Sequence, residues 1–164
     1  VQGARMAGAT TIIAIDVTQE KLDLAKKVGA THVINGATSD PVAMVKEICG
    51  GVDYAFEALG RESTIQQAWG TVGVDGTLIL VGLMKNGATI TLDAGPFVNE
   101  QSIKGCYFGS ANLRKDVPAL VKSYLNGELF LDELISERIG LEGLNSAFDR
   151  LRAGEGARNV LVFD

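Results

Sequence analysis

Histidine and cysteine, the side chains that most often hold metals or act as nucleophiles, are scarce in this chain. The 164 residues include one histidine, His32, and two cysteines, Cys49 and Cys106. They form no CxxC motif and no pair at the spacing of metal ligands. The sequence therefore predicts no metal site, and we nominate no catalytic residue. Two widely separated cysteines favour a reducing compartment, so we expect a cytoplasmic protein with buried thiols.

Positive charge and long apolar runs are also lacking. Fifteen Lys and Arg residues stand against twenty Asp and Glu, for a net charge of −5. No basic stripe is present, so neither nucleic acid nor an anionic membrane is an expected partner. No apolar run approaches the roughly 20 residues of a transmembrane helix. What the chain does have is 46% hydrophobic residues and twenty glycines, which suits a globular domain with many short connections between helices and strands.

A third absence concerns phosphate binding. A dinucleotide-binding unit has a strand, a glycine-rich turn, a helix, a second strand and then an acidic residue. This chain opens on what reads as the end of that helix, followed by an apolar strand at 12–15 and by Asp16. We therefore expect an NAD(P)-binding Rossmann-type sheet truncated at its N-terminus. The natural protein would then be longer, or residues 12–15 would pair directly with residues 53–57 in a rearranged sheet.

Strand and helix patterns alternate along most of the chain, which predicts an α/β fold with a doubly wound parallel sheet. The predicted strands are 12–15, 32–34, 52–58, 77–81, 88–93, 102–108 and 159–163. The predicted helices are 19–28, 41–49, 63–72, 115–126 and 142–153. We assign residues 1–130 to an incomplete coenzyme-binding domain and residues 131–164 to a segment that returns to another domain.

The expected helix caps and the one alternating strand can be checked residue by residue. Thr18 and Asp40 are predicted N-caps, the latter followed by Pro41. Ser63 with Gln66, or Thr64 with Gln67, fits a capping box. Residues 88–93 alternate polar and apolar, which predicts an edge strand with one solvated or paired face.

Asp16 is the most informative single residue. A carboxylate directly after this strand accepts hydrogen bonds from both ribose hydroxyls of an adenosine and repels a 2′-phosphate, so it favours NAD over NADP. The alternative is that Asp16 only begins a turn. Lys21, about one turn into the next helix, is placed to reach the same ribose, or is simply a solvated surface lysine.

Several segments, in order and spacing, resemble the coenzyme-binding part of zinc-dependent medium-chain alcohol dehydrogenases. The similarity runs over essentially the whole chain and is closest to the branch of classical and thiol-adduct formaldehyde dehydrogenases. The segments are Ile13-Ala14-Ile15-Asp16-Val17, Gly51-Val52-Asp53-Tyr54-Ala55-Phe56-Glu57, Val81-Gly82-Leu83, Ile103 to Ser110 and Ala157 to Phe163.

The resemblance implies a cofactor-binding role for twelve residues. Asp16, Val17 and Lys21 would hold the adenosine ribose, and Ala58, Leu59 and Arg61 would line the adenine side. Backbone groups of Val81, Cys106 and Phe108 would bind the nicotinamide carboxamide, with Gly82 and Leu83 against the adjoining ribose. Arg158 would reach the pyrophosphate.

The resemblance also implies an activity, a metal and a partner. The reaction would be hydride transfer between NAD and a small alcohol or an aldehyde adduct, with a zinc ion polarising the substrate oxygen. The zinc ligands would belong to a catalytic domain that this chain lacks, so we expect the 164 residues alone to be inactive. A homodimer would form through the edge strand at 88–93.

Three other functions stay open at this point. A zinc-free medium-chain quinone or enoyl reductase would share the same domain. A non-catalytic nucleotide-binding or dimerisation module would bind without turnover. A methyltransferase also places an acidic residue after its second strand, and comparing NADH with S-adenosylmethionine as ligands would separate that case.

Overall fold

The computed structural model describes residues 1–163. Its helices and strands alternate, and every paired strand is parallel to its neighbour, as expected of an α/β chain. The elements in chain order are α1 (Gln2–Met6), β1 (Ile13–Asp16), α2 (Gln19–Lys27), β2 (His32–Asn35), α3 (Pro41–Cys49), β3 (Val52–Glu57), α4 (Glu62–Thr71), β4 (Val72–Leu80), β5 (Ser102–Gly105), α5 (Leu113–Leu125), β6 (Ile135–Ile139), α6 (Leu144–Ala153) and β7 (Arg158–Leu161).

The chain forms two compact units. Unit 1 comprises Val1–Ala37 and Leu113–Asp164, and unit 2 comprises Thr38–Asn112. These units describe spatial clustering, whereas the predicted boundary at residue 130 concerns a return to a second domain, and it stays a prediction.

Unit 1 contains two separate two-stranded sheets. β1 pairs with β2, with Asp16 opposite Asn35, and α2 connects them. β6 pairs with β7, and α6 connects them; β6 was not predicted from the sequence. Leu22 of α2 and Ile34 of β2 are buried, because the apolar side of the helix covers the sheet. Within residues 1–163, β1 forms no ladder with β3, so the direct pairing expected of a rearranged sheet is not made.

Unit 2 is built on a three-stranded sheet in the order β3-β4-β5. Its core lies between this sheet and α4, which is amphipathic. Five buried residues form that core: Ala55, Ile65, Trp69, Val72 and Leu78. Ala55 and Glu57 point to the buried side of β3, whereas Tyr54 and Phe56 are each 64% exposed, as the alternation of side chains along a strand requires.

The predicted caps meet different outcomes. Asp40 is the N-cap of α3, and its carboxylate accepts from the N–H groups of Val42 and Ala43. Thr18 occupies the N-cap position of α2 but makes no side-chain cap bond. The capping box at Ser63 or Thr64 is wrong, because α4 begins one residue earlier and Arg61 is its N-cap.

Two predicted strands are also corrected. Residues 88–93 are not a strand, because the backbone groups of Thr91 and Asp93 bond to side chains of α4 rather than to a neighbouring strand. The strand predicted to end at Phe108 ends at Gly105, so Cys106 follows the strand instead of lying inside it. Phe108, Gly109 and Ser110 all have positive φ, which turns the chain out of the extended direction.

The exposure of the two cysteines and the length of the helices can be compared with what the sequence predicts. Cys49 is exposed and Cys106 half-buried, so the prediction of buried thiols is wrong. Among residues 1–163, no helix combines the length and apolarity needed to cross a lipid bilayer.

Candidate functional site

The carboxyl ends of the three strands of unit 2 lie side by side. Glu57 is opposite Leu80, and Leu80 is opposite Gly105, so β3, β4 and β5 end in register at one edge of the sheet. The three segments that follow carry eight of the twelve predicted cofactor-binding residues: Ala58, Leu59 and Arg61; Val81, Gly82 and Leu83; Cys106 and Phe108. In open α/β sheets this edge is where ligands bind.

Glu57 organises two of these segments. Its side chain is only 3% exposed. The carboxylate accepts from Leu59 N at 2.8 Å and from Gly60 N at 3.0 Å to both of its oxygens. The hydroxyl of Thr64, in the first turn of α4, donates at 2.7 Å. The main-chain carbonyl of Glu57 accepts from Val81 N at 2.8 Å and Gly82 N at 2.9 Å.

The two segments approach each other too closely for a side chain between them. A Cβ on Gly82 would lie 2.1 Å from Gly60 N and 2.7 Å from an oxygen of Glu57. Gly60 has φ +72°, and a Cβ there would lie 2.5 Å from the carbonyl oxygen of Leu83. The absence of side chains at both positions therefore leaves backbone groups uncovered beside the strand ends.

Backbone groups remain available where the resemblance places the carboxamide. The N–H groups of Val81 and Cys106 are used by Glu57 and Leu80. Among residues 1–163, the carbonyl oxygens of Val81 and Cys106 and the N–H of Phe108 have no main-chain partner. Two acceptors and one donor match a primary carboxamide, which has two N–H bonds to donate and one oxygen to accept.

The surface around this edge is apolar. Leu59 is 64% exposed, Leu83 95% and Phe108 74%.

Phe108 and Ser110 adopt positive φ, a conformation that costs a residue with a side chain on the order of 1–3 kcal/mol and that recurs at functional sites.

Asp16 ends β1 in unit 1. Its Oδ1 accepts from Thr18 N at 2.9 Å, and its carbonyl accepts from Gly36 N at 3.0 Å. Within residues 1–163, Oδ2 has no hydrogen-bond partner. The turn therefore fixes the carboxylate through one oxygen and leaves the other open. Both readings of Asp16 from the sequence, turn residue and ligand-binding residue, are thus compatible with this geometry.

The other predicted residues of unit 1 lie near the start of α2 and of β7. Val17 is 67% exposed, Lys21 is half-buried, and Arg158 is exposed with its N–H directed to Ser136 Oγ at 3.3 Å. Glu20 and Asn159, the respective neighbours of Lys21 and Arg158, line the same open cavity of about 430 Å³. The structure thus brings the first turn of α2 and the start of β7 to one depression.

Glu57 was missed as a functional candidate by the sequence analysis. The available signal was an acidic residue ending an apolar strand just before Ala58-Leu59-Gly60. An acid there has to be solvated, paired, or surrounded by donors, and three backbone or hydroxyl donors follow within seven residues.

A resident metal does not fit the described residues. Among residues 1–163, no three His, Cys, Asp or Glu side chains are grouped closely enough to hold an ion. Zinc therefore has no ligand set on this part of the protein.

Known proteins are similar to this chain in sequence and in fold. Residues 1–126 match the family model described as zinc-binding dehydrogenase. The chain is 37% identical to an alcohol dehydrogenase class-3 of Oryza sativa subsp. japonica and 34% identical to one of Caenorhabditis elegans, over 99% and 100% of its length. It spans 44% and 45% of those relatives, less than half of each.

Solved structures show the same similarity. A benzyl alcohol dehydrogenase from Acinetobacter calcoaceticus has a TM-score of 0.95 and 34% identity over 99% of this chain and 45% of its own. A zinc-binding dehydrogenase from Sinorhizobium meliloti, solved with NADP bound, has a TM-score of 0.81 and 26% identity over 99% of this chain and 48% of its own. The Rossmann-type fold expected from the sequence is thereby confirmed.

Proposed function

This chain belongs to the zinc-binding dehydrogenase family, and from that premise we propose that it is the nicotinamide-cofactor-binding part of an oxidoreductase. The reaction is hydride transfer between NAD and a small alcohol or an aldehyde adduct. The observation that carries the proposal is the Asp16 carboxylate, held at the end of β1 with one oxygen open. The relatives named as alcohol dehydrogenases support the substrate class.

The bound cofactor supplies the hydride acceptor or donor, and the residues described here bind and orient it. Asp16 accepts hydrogen bonds from the adenosine ribose, with Val17 and Lys21 beside it. Arg158 neutralises pyrophosphate charge. The adenine side is lined by Ala58, Leu59 and Arg61.

The nicotinamide end lies at the strand ends of unit 2. The carbonyls of Val81 and Cys106 accept from the carboxamide, and the N–H of Phe108 donates to it. The support is the match between these unpaired groups and the donors and acceptors of an amide. Gly82 and Leu83 contact the adjoining ribose.

The choice of NAD over NADP follows from the charge on Asp16, because a carboxylate that accepts from a 2′-hydroxyl repels a 2′-phosphate. We propose this preference even though one similar structure contains NADP, since that protein is only 26% identical. Nothing in the preference depends on unit 2.

Calorimetric titration with NADH and NADPH tests the proposal. Asp16→Asn should raise the Kd for NADH about tenfold, since hydrogen bonds to a charged group contribute roughly 1.5–3 kcal/mol, and should narrow the gap to NADPH. Asp23→Asn is the matched control, because Asp23 is an exposed carboxylate on the adjoining helix. Failure of the unmodified protein to bind either nucleotide, or tighter binding of S-adenosylmethionine, would contradict the proposal.

Turnover and assembly are separate proposals. Among residues 1–163 no set of zinc ligands is grouped, so we expect no alcohol oxidation by this chain with NAD and added zinc. Measurable oxidation would overturn that expectation. We also propose the homodimer through residues 88–93 that the family resemblance implies, and a monomer at micromolar concentration in sedimentation velocity would argue against it.

A further inference from the structure

Resting on the proposed function, we infer that Glu57 is a positioning residue for the nicotinamide cofactor: it sets the spacing between the 58–61 and 81–83 segments without contacting the cofactor itself. It is bonded to both segments, by its carboxylate to the first and by its main-chain carbonyl to the second. No other residue of unit 2 makes this double connection among the described hydrogen bonds.

The charge of Glu57 is balanced by donors instead of by a cation. Among residues 1–163, none of the ion pairs includes Glu57. A buried carboxylate without a cation needs convergent hydrogen-bond donors. These are Leu59 N, Gly60 N and Thr64 Oγ1, and Thr64 belongs to the first turn of α4, where the helix dipole also favours a negative charge.

Replacing Glu57 by glutamine should displace the 58–61 segment. Glutamine has the same shape but replaces one acceptor oxygen by an NH₂ group, which donates only. Gly60 N lies 3.0 Å from both oxygens, so one donor would then face another. The 58–61 segment should move away from residue 57, and Leu59 and Arg61 would move with it.

Gly82 makes this movement matter for the second segment. A Cβ added to Gly82 would lie 2.1 Å from Gly60 N and 2.7 Å from both Leu59 N and a Glu57 oxygen, so the two segments approach closely here and a shift of the first would separate them. The predicted effect is therefore on cofactor geometry and is larger than the effect of an equal charge change elsewhere on β3.

The test compares Glu57→Gln with Asp53→Asn, a neutralised carboxylate at the exposed start of the same strand. Kd values for NADH and ADP-ribose are measured by calorimetry on the purified protein, with circular dichroism confirming the folded state. Glu57→Gln should weaken both ligands about tenfold, whereas Asp53→Asn should leave both unchanged.

A second pair keeps the inference testable where Glu57→Gln does not fold. Thr64→Val removes the hydroxyl that donates to Glu57, and Thr64→Ser retains it. Thr64→Val should weaken NADH several-fold and Thr64→Ser should restore it, a rescue that a simple packing role would not produce because serine lacks the methyl group.

The outcomes separate the inference from the function on which it rests. If the unmodified protein and Asp53→Asn bind NADH but folded Glu57→Gln binds equally well, the positioning role is wrong and the proposed function stands. Equal affinities for Thr64→Val and Thr64→Ser also contradict the positioning role. If the unmodified protein binds neither NADH nor NADPH, both fail.

Discussion

The two units place their predicted cofactor-binding residues on scaffolds of different strength. Unit 2 has a three-stranded sheet covered by α4, and the core residues Leu78 of the sheet and Ile65 of the helix are both 0% exposed. The segments 58–61 and 81–83 bond directly to Glu57 of that sheet. Unit 1 presents Asp16 from a two-stranded sheet, an arrangement that is marginal without further packing. The strand ends proposed to bind the nicotinamide are thus held by a continuous core, and Asp16, proposed to bind the ribose, by a short turn.

In unit 1, polar contacts join α1 to the segment after α5. The side-chain amide of Gln2 donates to the carbonyl of Phe130 and accepts from its N–H, which fastens α1 to the segment after α5. Arg5 lies 5.0 Å from the ring centroid of Phe130 and donates to the Glu128 carbonyl. α5 itself has no buried residue. Unit 1 also has buried apolar side chains, among them Leu22 at 1% and Ile34 at 3% exposed, so these polar contacts add to its packing.

The largest expected effect comes from the core of unit 2. Leu78→Ala should lower the free energy of unfolding by about 2–5 kcal/mol, because the side chain is 0% exposed and leaves a cavity. Leu125→Ala in α5 is the matched control: its side chain is 76% exposed and the cost should stay within roughly 0.5 kcal/mol. Urea unfolding measures both, and hydrogen exchange locates the loss. Equal losses in the two variants would show that Leu78 does not belong to a well-packed core.

A smaller effect is expected where the two site segments meet. Gly82→Ala should destabilise the protein by about 1–3 kcal/mol, since its Cβ would lie 2.1 Å from a backbone nitrogen. Gly105→Ala, at the end of the adjacent strand, meets nothing within 4 Å and should be nearly neutral.

Thermal unfolding followed by circular dichroism gives both values for the glycine pair. A Gly82→Ala variant as stable as Gly105→Ala would mean that the 58–61 and 81–83 segments are not tightly packed against each other. These segments would then be held no more firmly to unit 2 than Asp16 is to unit 1.

Much of the fold was predictable because buried strands have a simple signature. Most of β1 and the second half of β4 come from the apolar runs at 12–15 and 77–81, and a short continuous apolar run is typical of a parallel strand. Asp40 was predictable as a cap because its effect is local, confined to the two residues after Pro41. Asp16 could be nominated for the same reason, since only its place after a strand was needed.

The errors arose where partners are distant in sequence. Residues 88–93 alternate like a strand, but Gln66, Trp69 and Glu62 satisfy their backbone groups from α4, which no local pattern reveals. Glu57 bonds to residues 2 and 3 positions away and to residues 24 and 25 positions away. The positive φ of Phe108 and Ser110 is unusual for such residues and is set by tertiary context.

Helix caps offer a matched comparison of the two units at lower energy. Asp40→Ala should cost about 1 kcal/mol, because the carboxylate accepts from two N–H groups at the start of α3. Thr18→Ala, at the same position of α2 in unit 1, should cost only a few tenths of that, because its side chain makes no cap bond. Chemical denaturation of the two single variants decides it, and a larger loss from Thr18→Ala would reverse the expected ranking.

The smallest effect is a pH dependence in unit 1. Tyr124 donates a 2.7 Å hydrogen bond to Asp132, and this bond together with the negative charge of Asp132 raises the pKa of Tyr124 above its ordinary value. Below the ordinary tyrosine pKa of about 10 the phenol is protonated in both the folded and the unfolded chain, and the stabilisation is complete. As the pH rises further, the unfolded chain ionises first, so this stabilisation is lost between the ordinary and the raised pKa.

NMR of ring-labelled tyrosine follows this titration directly, and Tyr124→Phe identifies the resonance among the three tyrosines of the chain. Asp132→Asn keeps an acceptor but removes the charge, so it should return the pKa of Tyr124 part of the way to its ordinary value. An unshifted Tyr124 in the unmodified protein would show that the segment after α5 is not held by this contact. The contacts of Gln2 and Arg5 with residues 128–130 would then be left to hold this part of unit 1 to α1, since Tyr124 and Asp132 join α5 to the turn just beyond that segment.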